Sequence, residues 1–378
     1  MNVGTITIVV VILILLYWWK INRAAPRISA VSPARRTNVN AVTSKTSRSK
    51  NSKTPDEEPE VSSTPIVKDE KDEANLKALQ LIPYEEDENL QNIKKVLESM
   101  AKPRPELMSL LQPINEPKEL YKIISKDLKL LGKVLEQTNS AYYRLDKPIE
   151  NLHHAVVYLG VVQVRSIATN FALRESVAFS SSKQQAAYDR IWKASFVASE
   201  IARLFVQELR LENANGLATS CQLSYLGDVA FIMAQKNASR YYLGSFNLVD
   251  RIHAAQNTLH THQGNLGKLM IHTWHLPEKL TYFIEHKFWP LAKRFDERTS
   301  IEEMQQKIVL YVSCALAEKL VFEQDQNIIN RASFNYSDNG AIEFYHMEGL
   351  LKRASLTNLH QVAFNPTFKR KIASLLNQ

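Results

Sequence analysis

Two cysteines in 378 residues are too few for a disulfide framework, and Cys221 and Cys314 lack the paired spacing of a thiolate metal site. Both read as small apolar core groups in a reducing compartment. Glycine is scarce as well, at ten residues. No glycine-rich phosphate loop, GxSxG elbow, CxxC pair or HExxH helix occurs. These gaps remove the common nucleotide-hydrolysing, serine-hydrolase, thiol-redox and zinc-protease classes. Period-two alternation is missing before residue 330, which argues against a sheet. Acidic side chains are absent from 20–53, where nine lysines and arginines stand. Taking those nine from 47 leaves 38 basic residues against 39 acidic ones. The basic isoelectric point therefore belongs to one segment, which argues against reading it as the mark of a nucleic-acid-binding fold.

One long apolar run is present, Val3 to Trp19, without a charged side chain. At about 1.5 Å per residue it spans roughly 25 Å, enough for a bilayer core. Tyr17, Trp18 and Trp19 suit the interface, and Lys20, Arg23 and Arg27 come directly after them. Charge after the run, rather than before it, predicts a retained anchor instead of a cleaved leader. The positive flank places the rest of the chain on the cytoplasmic side, with a single pass.

Residues 20–73 are polar and charged, basic first and then acidic around Asp56–Glu60 and Lys68–Glu73. Such a segment buries too little to offset its ordering entropy and reads as a disordered linker. As a random coil it would reach about 40 Å, keeping the folded body near the membrane.

Helical periodicity starts at Ala74. Residues 74–101 read as an N-terminal helical extension, 102–325 as the main domain and 326–378 as a C-terminal extension. The densest pattern runs from Ile124 to Arg174. Ile124, Leu128, Leu131, Val134 and Leu135 make one apolar stripe; Ile149, Leu152, Val156 and Leu159 make the next, ending at Gly160. Further long patterns occupy 186–211, 214–234 and 301–322. The predicted fold is an all-α bundle with short connections. Near the end, turn residues before Ala341–Tyr345 suggest a small hairpin, and two terminal helices come after it.

Asn139-Ser140-Ala141-Tyr142-Tyr143, followed by Lys147-Pro148-Ile149-Glu150-Asn151-Leu152-His153-His154, resembles the HDOD domain, a bacterial signalling relative of the HD phosphohydrolases. Lys102-Pro103-Arg104-Pro105, Asp127, Trp192-Lys193-Ala194-Ser195 and Trp274-His275-Leu276-Pro277 match further landmarks in order. The resemblance covers about residues 100–325 and implies a multi-helix bundle. It also locates the metal ligands of the hydrolase relatives: one histidine falls at Ala194, and the His-Asp pair at Ser224 and Tyr225. Alanine cannot ligate, and a neutral serine or tyrosine poorly replaces imidazole and carboxylate. The expected protein is thus not an enzyme and holds no metal or other cofactor.

Six of the ten histidines lie between His253 and His286, but no carboxylate or cysteine pair accompanies them. They read as solvated or capping groups. Asn139 and Ser140 read first as a helix stop, with Asn139 left-handed and Ser140 capping the next segment. The aromatic residues around Tyr142, Tyr143 and Trp192 read first as core. If these residues do more, the candidate contacts for a partner or ligand are Asn139, Ser140, Tyr142, Tyr143, Trp192 and His286. The functional expectation is a non-catalytic signalling or scaffold protein, tethered to the bacterial inner membrane through residues 3–19. It would bind a protein partner or a signal through its bundle. A divergent phosphohydrolase and a non-catalytic nucleotide sensor remain the alternatives.

Overall fold

From Glu70 onward the chain is helical. The computed structural model describes residues 70–377, apart from 100–104, 113, 115, 178, 180, 213, 215, 293–297, 331–333, 337–339 and 364. The apolar run 3–19, the linker as far as residue 69, and Lys102, Pro103 and Arg104 lie outside the described residues.

Helix α1 (Glu70–Lys77) begins inside the stretch expected to be a linker. Tertiary contacts account for this: Leu76 is buried, and Glu73 accepts a 2.9 Å hydrogen bond from the Tyr345 hydroxyl. Helices α2 (Glu88–Glu98), α3 (Pro105–Leu111), α4 (Pro117–Ile124), α5 (Leu128–Thr138), α6 (Leu152–Leu159) and α7 (Val161–Arg174) form the first half of the bundle. Asp127 caps α5, accepting from the Lys129 and Leu130 amides, and Asn151 caps α6 through the His154 amide. Gly160 separates α6 from α7 at φ +85°, a conformation that a side chain would strain.

The second half is built on α8 (Ser182–Leu209), 28 residues long, or about 42 Å. Ser181 caps it, and left-handed Arg210 ends it. Helix α15 (Ile301–Val321) packs along α8, and α9 (Leu217–Leu223) packs against both. Around them lie α10 (Leu226–Ala234), α11 (Arg240–Leu243), α12 (Leu248–Leu259), α13 (Gln263–Thr273) and α14 (Thr281–Glu285). The single helix expected over 214–234 is thus two, broken at Ser224 and Tyr225. Ser224 Oγ donates to the Cys221 carbonyl and competes with the helical ladder. Beyond the break α10 crosses α13 so closely that a Cβ on Gly227 would stand 1.7 Å from the Gln263 carbonyl oxygen.

The C-terminal residues share the same core. Ala341–Tyr345 is not a hairpin: Ile342–Phe344 forms a 3-10 turn, and no strand occurs among the described residues. Glu343 decides this, because its buried carboxylate accepts the Leu248 amide and meets Lys319 at 3.0 Å, contacts a two-stranded ribbon would not supply. Helices α16 (Met347–Arg353), α17 (Leu359–Ala363) and α18 (Pro366–Leu376) complete the chain. The last packs on α8, with Phe368 stacked on Phe205 at 5.2 Å.

Candidate functional site

The break between α9 and α10 sets the centre of the bundle. Ser224 and Tyr225 are fully buried there, and Ala194 is fully buried in α8. Tyr225 donates its hydroxyl to the Cys314 carbonyl, and Ser224 Oγ lies 3.4 Å from Cys314 Sγ. Cys221 is buried beside them, and burial pushes its thiol pKa up, with the Cys314 thiol adding to the effect. Both cysteines are buried core groups, as their spacing suggested.

One turn into α10, Asp228 points to the same centre. Its carboxylate accepts the Tyr242 hydroxyl at 2.8 Å and the Lys287 ammonium at 2.9 Å. The same ammonium donates to the Ser224 carbonyl at 3.1 Å and lies 5.3 Å from the Tyr225 ring centroid. An internal cation thus sits at the residues where the hydrolase resemblance places a ligand pair. Burial opposes the charge on Lys287, and the Asp228 and Glu318 carboxylates outweigh it, so its pKa lies above the usual lysine value. Nearby, Arg251 pairs with Glu318 and also donates to the Phe246 carbonyl. Burial raises the Glu318 pKa, and the Arg251 and Lys287 cations only partly draw it back. Two cations and two anions therefore balance inside the core, each at most 3 % exposed.

This donor set does not fit a divalent ion. Among the described residues, no three His, Cys, Asp or Glu side chains come together in a way that could hold a metal. Among the described residues Asp228 is the carboxylate paired with Lys287, so its charge is already answered by the ammonium. Sequence reasoning missed Lys287, Arg251 and Glu318. The signal was present: Arg251 falls on the apolar stripe Leu248, Ile252, Ala255 and Leu259, and Glu318 on that of Tyr311, Cys314 and Ala315. A charge on a buried stripe calls for a buried partner.

The histidines are dispersed into separate jobs. His262 caps α13, its Nδ1 accepting from the Gly264 and Asn265 amides. His272 faces Glu278 at 3.3 Å, and His253 meets the Asn75 carbonyl. His260 and His275 occupy left-handed turns.

The six candidate contact residues do not form one site. Asn139 is not left-handed; its φ is −87°. Its amide instead clamps the Ile149 backbone, donating to the carbonyl at 2.8 Å and accepting the N–H at 2.7 Å. That clamp closes the loop holding Ser140, whose carbonyl accepts the Tyr143 amide. Tyr142 and Tyr143 lean on a buried carboxylate in α8: Glu200 accepts the Tyr142 hydroxyl at 2.8 Å and the Gln163 amide at 2.6 Å. Gln163 also donates to the Tyr143 hydroxyl, and Arg203 pairs with Glu200 at 2.9 Å. Burial first, and then the Glu200 charge, raises both tyrosine pKa values. This network walls a cavity of about 270 Å³ whose rim includes Leu159 and Val162. Val157, Tyr158 and Val162 are exposed around the Gly160 turn. Trp192 is elsewhere, on the cleft between α7 and α8, and His286 is elsewhere again, its ring tilted against that of Trp289 with centroids 3.8 Å apart.

The HDOD domain family matches residues 104–289. A comparison with curated proteins finds none that matches. Among solved structures, a Shewanella amazonensis protein with a provisional phosphohydrolase name is 15 % identical; the likeness covers 77 % of this chain and 99 % of that one, with a TM-score of 0.51. A Geobacter sulfurreducens HDOD domain protein of unknown function is 16 % identical over 77 % of this chain and 95 % of its own, with a TM-score of 0.45. A Marinobacter aquaeolei protein provisionally named for signal transduction is 13 % identical over 78 % of this chain and 65 % of its own, with a TM-score of 0.47. At these identities the Shewanella likeness speaks to fold alone. With the helical frame of 105–289, the Asn139–Tyr143 loop and the family match in agreement, residues 104–289 of this chain are an HDOD domain.

Proposed function

We propose that this HDOD protein is a non-catalytic signalling or scaffold component, held at the cytoplasmic face of a bacterial inner membrane by residues 3–19 and binding a protein partner through its bundle. The observation that carries the non-catalytic part is Lys287. Its ammonium is buried between the Asp228 carboxylate and the Ser224 carbonyl, beside the residues to which the resemblance assigns a hydrolase's ligand pair. A metal there would face a fixed positive charge and, in Ser224 and Tyr225, neutral side chains.

The partner-binding part is supported by a surface. Val157, Tyr158 and Val162 are 69 %, 55 % and 56 % exposed within six residues of one another. Neighbouring exposed apolar side chains of this size favour a protein contact over isolated surface residues. The apolar run and its positive flank support the tether. Membership of the HDOD family supports the signalling role.

The test is elemental analysis of the chain purified without affinity-tag histidines or chelator, paired with a phosphodiester hydrolysis assay. Metal far below one equivalent, with no turnover on added manganese, iron or zinc, is the expected result. Near-stoichiometric metal with turnover would overturn the reading and make the protein a divergent phosphohydrolase.

A further inference from the structure

The end of α15 carries a second set of buried charges, linked to the first through Arg251. Lys319 donates to the Glu323 carboxylate, one turn on, at 2.7 Å and meets Glu343 of the Ile342–Phe344 turn at 3.0 Å. The three side chains are 9 %, 15 % and 1 % exposed. Glu343 is tied on both sides of its backbone: its carboxylate accepts the Leu248 amide, and its carbonyl accepts the Tyr311 hydroxyl at 2.7 Å. Two carboxylates therefore share one ammonium.

The neighbouring charges leave one negative charge in excess. Arg251 of α12 also acts on Glu323, but it is already paired with Glu318. Lys287 is paired with Asp228. Arg190 of α8 reaches the same end of α15 and donates to the Val321 and Phe322 carbonyls, at 2.6 and 3.0 Å, instead of to a carboxylate. Asp325 turns into the next loop, where it accepts the Asn327 amide at 3.1 Å. Glu323 Oε1 and Glu343 Oε2 are buried, and neither has a hydrogen-bond partner among the described residues. Two buried carboxylates on one cation favour holding a proton between them. Burial first, and then the Glu343 charge, raises the Glu323 pKa to about 7 against the pull of Lys319 and Arg251.

We propose that Lys319, Glu323 and Glu343 form a proton-sensitive latch on the C-terminal segment. With one proton on the carboxylate pair the charges balance, and Lys319 holds the Ile342–Phe344 turn in place. Without it the two carboxylates repel each other across one ammonium, and the turn is held less firmly. The turn joins two ends of the molecule. Leu248 and Tyr311 reach it from the bundle, and Tyr345, just beyond it, donates to Glu73 of α1. The seating of α1 therefore depends on the latch as well. The sign follows from linkage. A raised carboxylate gives its full stabilisation below the ordinary value of 4.5 and loses it as the pH rises through about 7. The latch is separate from the metal question and does not rest on the non-catalytic reading.

Amide hydrogen exchange of the full-length chain at pH 6 and pH 8, corrected for the chemical exchange rate, tests this. The Phe344, Tyr345 and Leu350 amides, which bond within and just after the turn, are the reporters, and the amides of α5 are the reference. In the parent, protection of the reporters should fall several-fold from pH 6 to pH 8, by about tenfold at most, the factor one proton supplies over that range. Glu323→Gln keeps the shape and an acceptor for Lys319 but carries no charge. Its reporters should stay protected at both pH values, as in the parent at pH 6. Glu343→Gln, which removes the repulsion from the other side, should also flatten the dependence. Parent protection that is flat or rises with pH would overturn the proposal. So would a Glu323→Gln variant that keeps the parent's slope, or one that loses protection equally at both pH values, as loss of a plain ion pair would cause.

Discussion

The Lys287 centre and the α7–α8 cleft are both polar places inside an apolar bundle, and they handle polarity in opposite ways. At the centre every charge is answered within the chain. Lys287 has Asp228 and the Ser224 carbonyl, Arg251 has Glu318, and Tyr242 completes Asp228. In the cleft the Asn170 amide keeps a donor without a partner among the described residues, while the Trp192 indole meets the Tyr188 hydroxyl; at the centre only Arg251 Nε is so placed among the charged groups just named. The centre lies among helices α9, α10, α12, α14 and α15, where a mismatch would leave a bare charge in low dielectric. The cleft borders solvent through Arg174 and Asp189, whose side chains are 44 % and 42 % exposed. A closed network supplies rigidity; an open one leaves hydrogen-bonding capacity for something else.

The strongest way to break this contrast is to remove one charge from the centre. Lys287→Ala should lower the unfolding free energy by about 3–5 kcal/mol, because Asp228 is left buried and unpaired. A urea titration reads the loss. The double variant Lys287→Met with Asp228→Leu should recover most of it, since both charges then leave together. If Lys287→Ala proves nearly neutral, the centre is wetter than its burial implies.

The next effect sharpens where the centre ends. His286 precedes Lys287, and its pKa is lowered to about 4, by burial first and then by Lys307, with Lys268 in the same direction against Glu285 and Glu303. A depressed histidine stabilises the fold above its ordinary value of 6.5, and this contribution is lost as the pH falls through about 4. Glu323 works in the opposite direction, since burial and Glu343 raise its pKa to about 7. The difference between the parent and His286→Gln isolates the histidine. Urea midpoints of the parent should fall more steeply than those of the variant between neutral pH and pH 5.

The smallest effect lies in the cleft and has the opposite sign. Asn170→Leu should raise the stability of the ligand-free protein by about 1 kcal/mol, because an apolar side chain replaces an unpaired amide. A loss of stability would mean that Asn170 is already paired.

Much of the fold was legible in the sequence for a local reason. Apolar residues at helical spacing, and caps such as Asp127, Asn151 and Ser300, act over one or two turns, so the windows that contain them suffice. The elements that departed from expectation depend on distant partners. Glu70–Lys77 is helical where Tyr345 meets Glu73, and Ile342–Phe344 is a turn where Leu248 and Lys319 hold Glu343. The candidate contacts show the same division. Tyr142 and Tyr143 were marked by type and position, but the group they serve, Glu200, lies in another helix. Trp192 was marked as a likeness to a family landmark; the cavity it lines needs α7 and α18 beside it.

The sequence by itself determined an all-helical body and the helices of the first half, and it put the non-ligating side chains Ala194, Ser224 and Tyr225 where the resemblance implies hydrolase ligands. Spacing and side-chain type are local properties, and they are complete in the chain. Only the tertiary structure decided that Lys287 would meet Asp228 and the Ser224 carbonyl in the core and that Asn170 and Trp192 would line one cleft. Each needs a partner from a separate helix, and which buried groups find one is settled only when the helices pack.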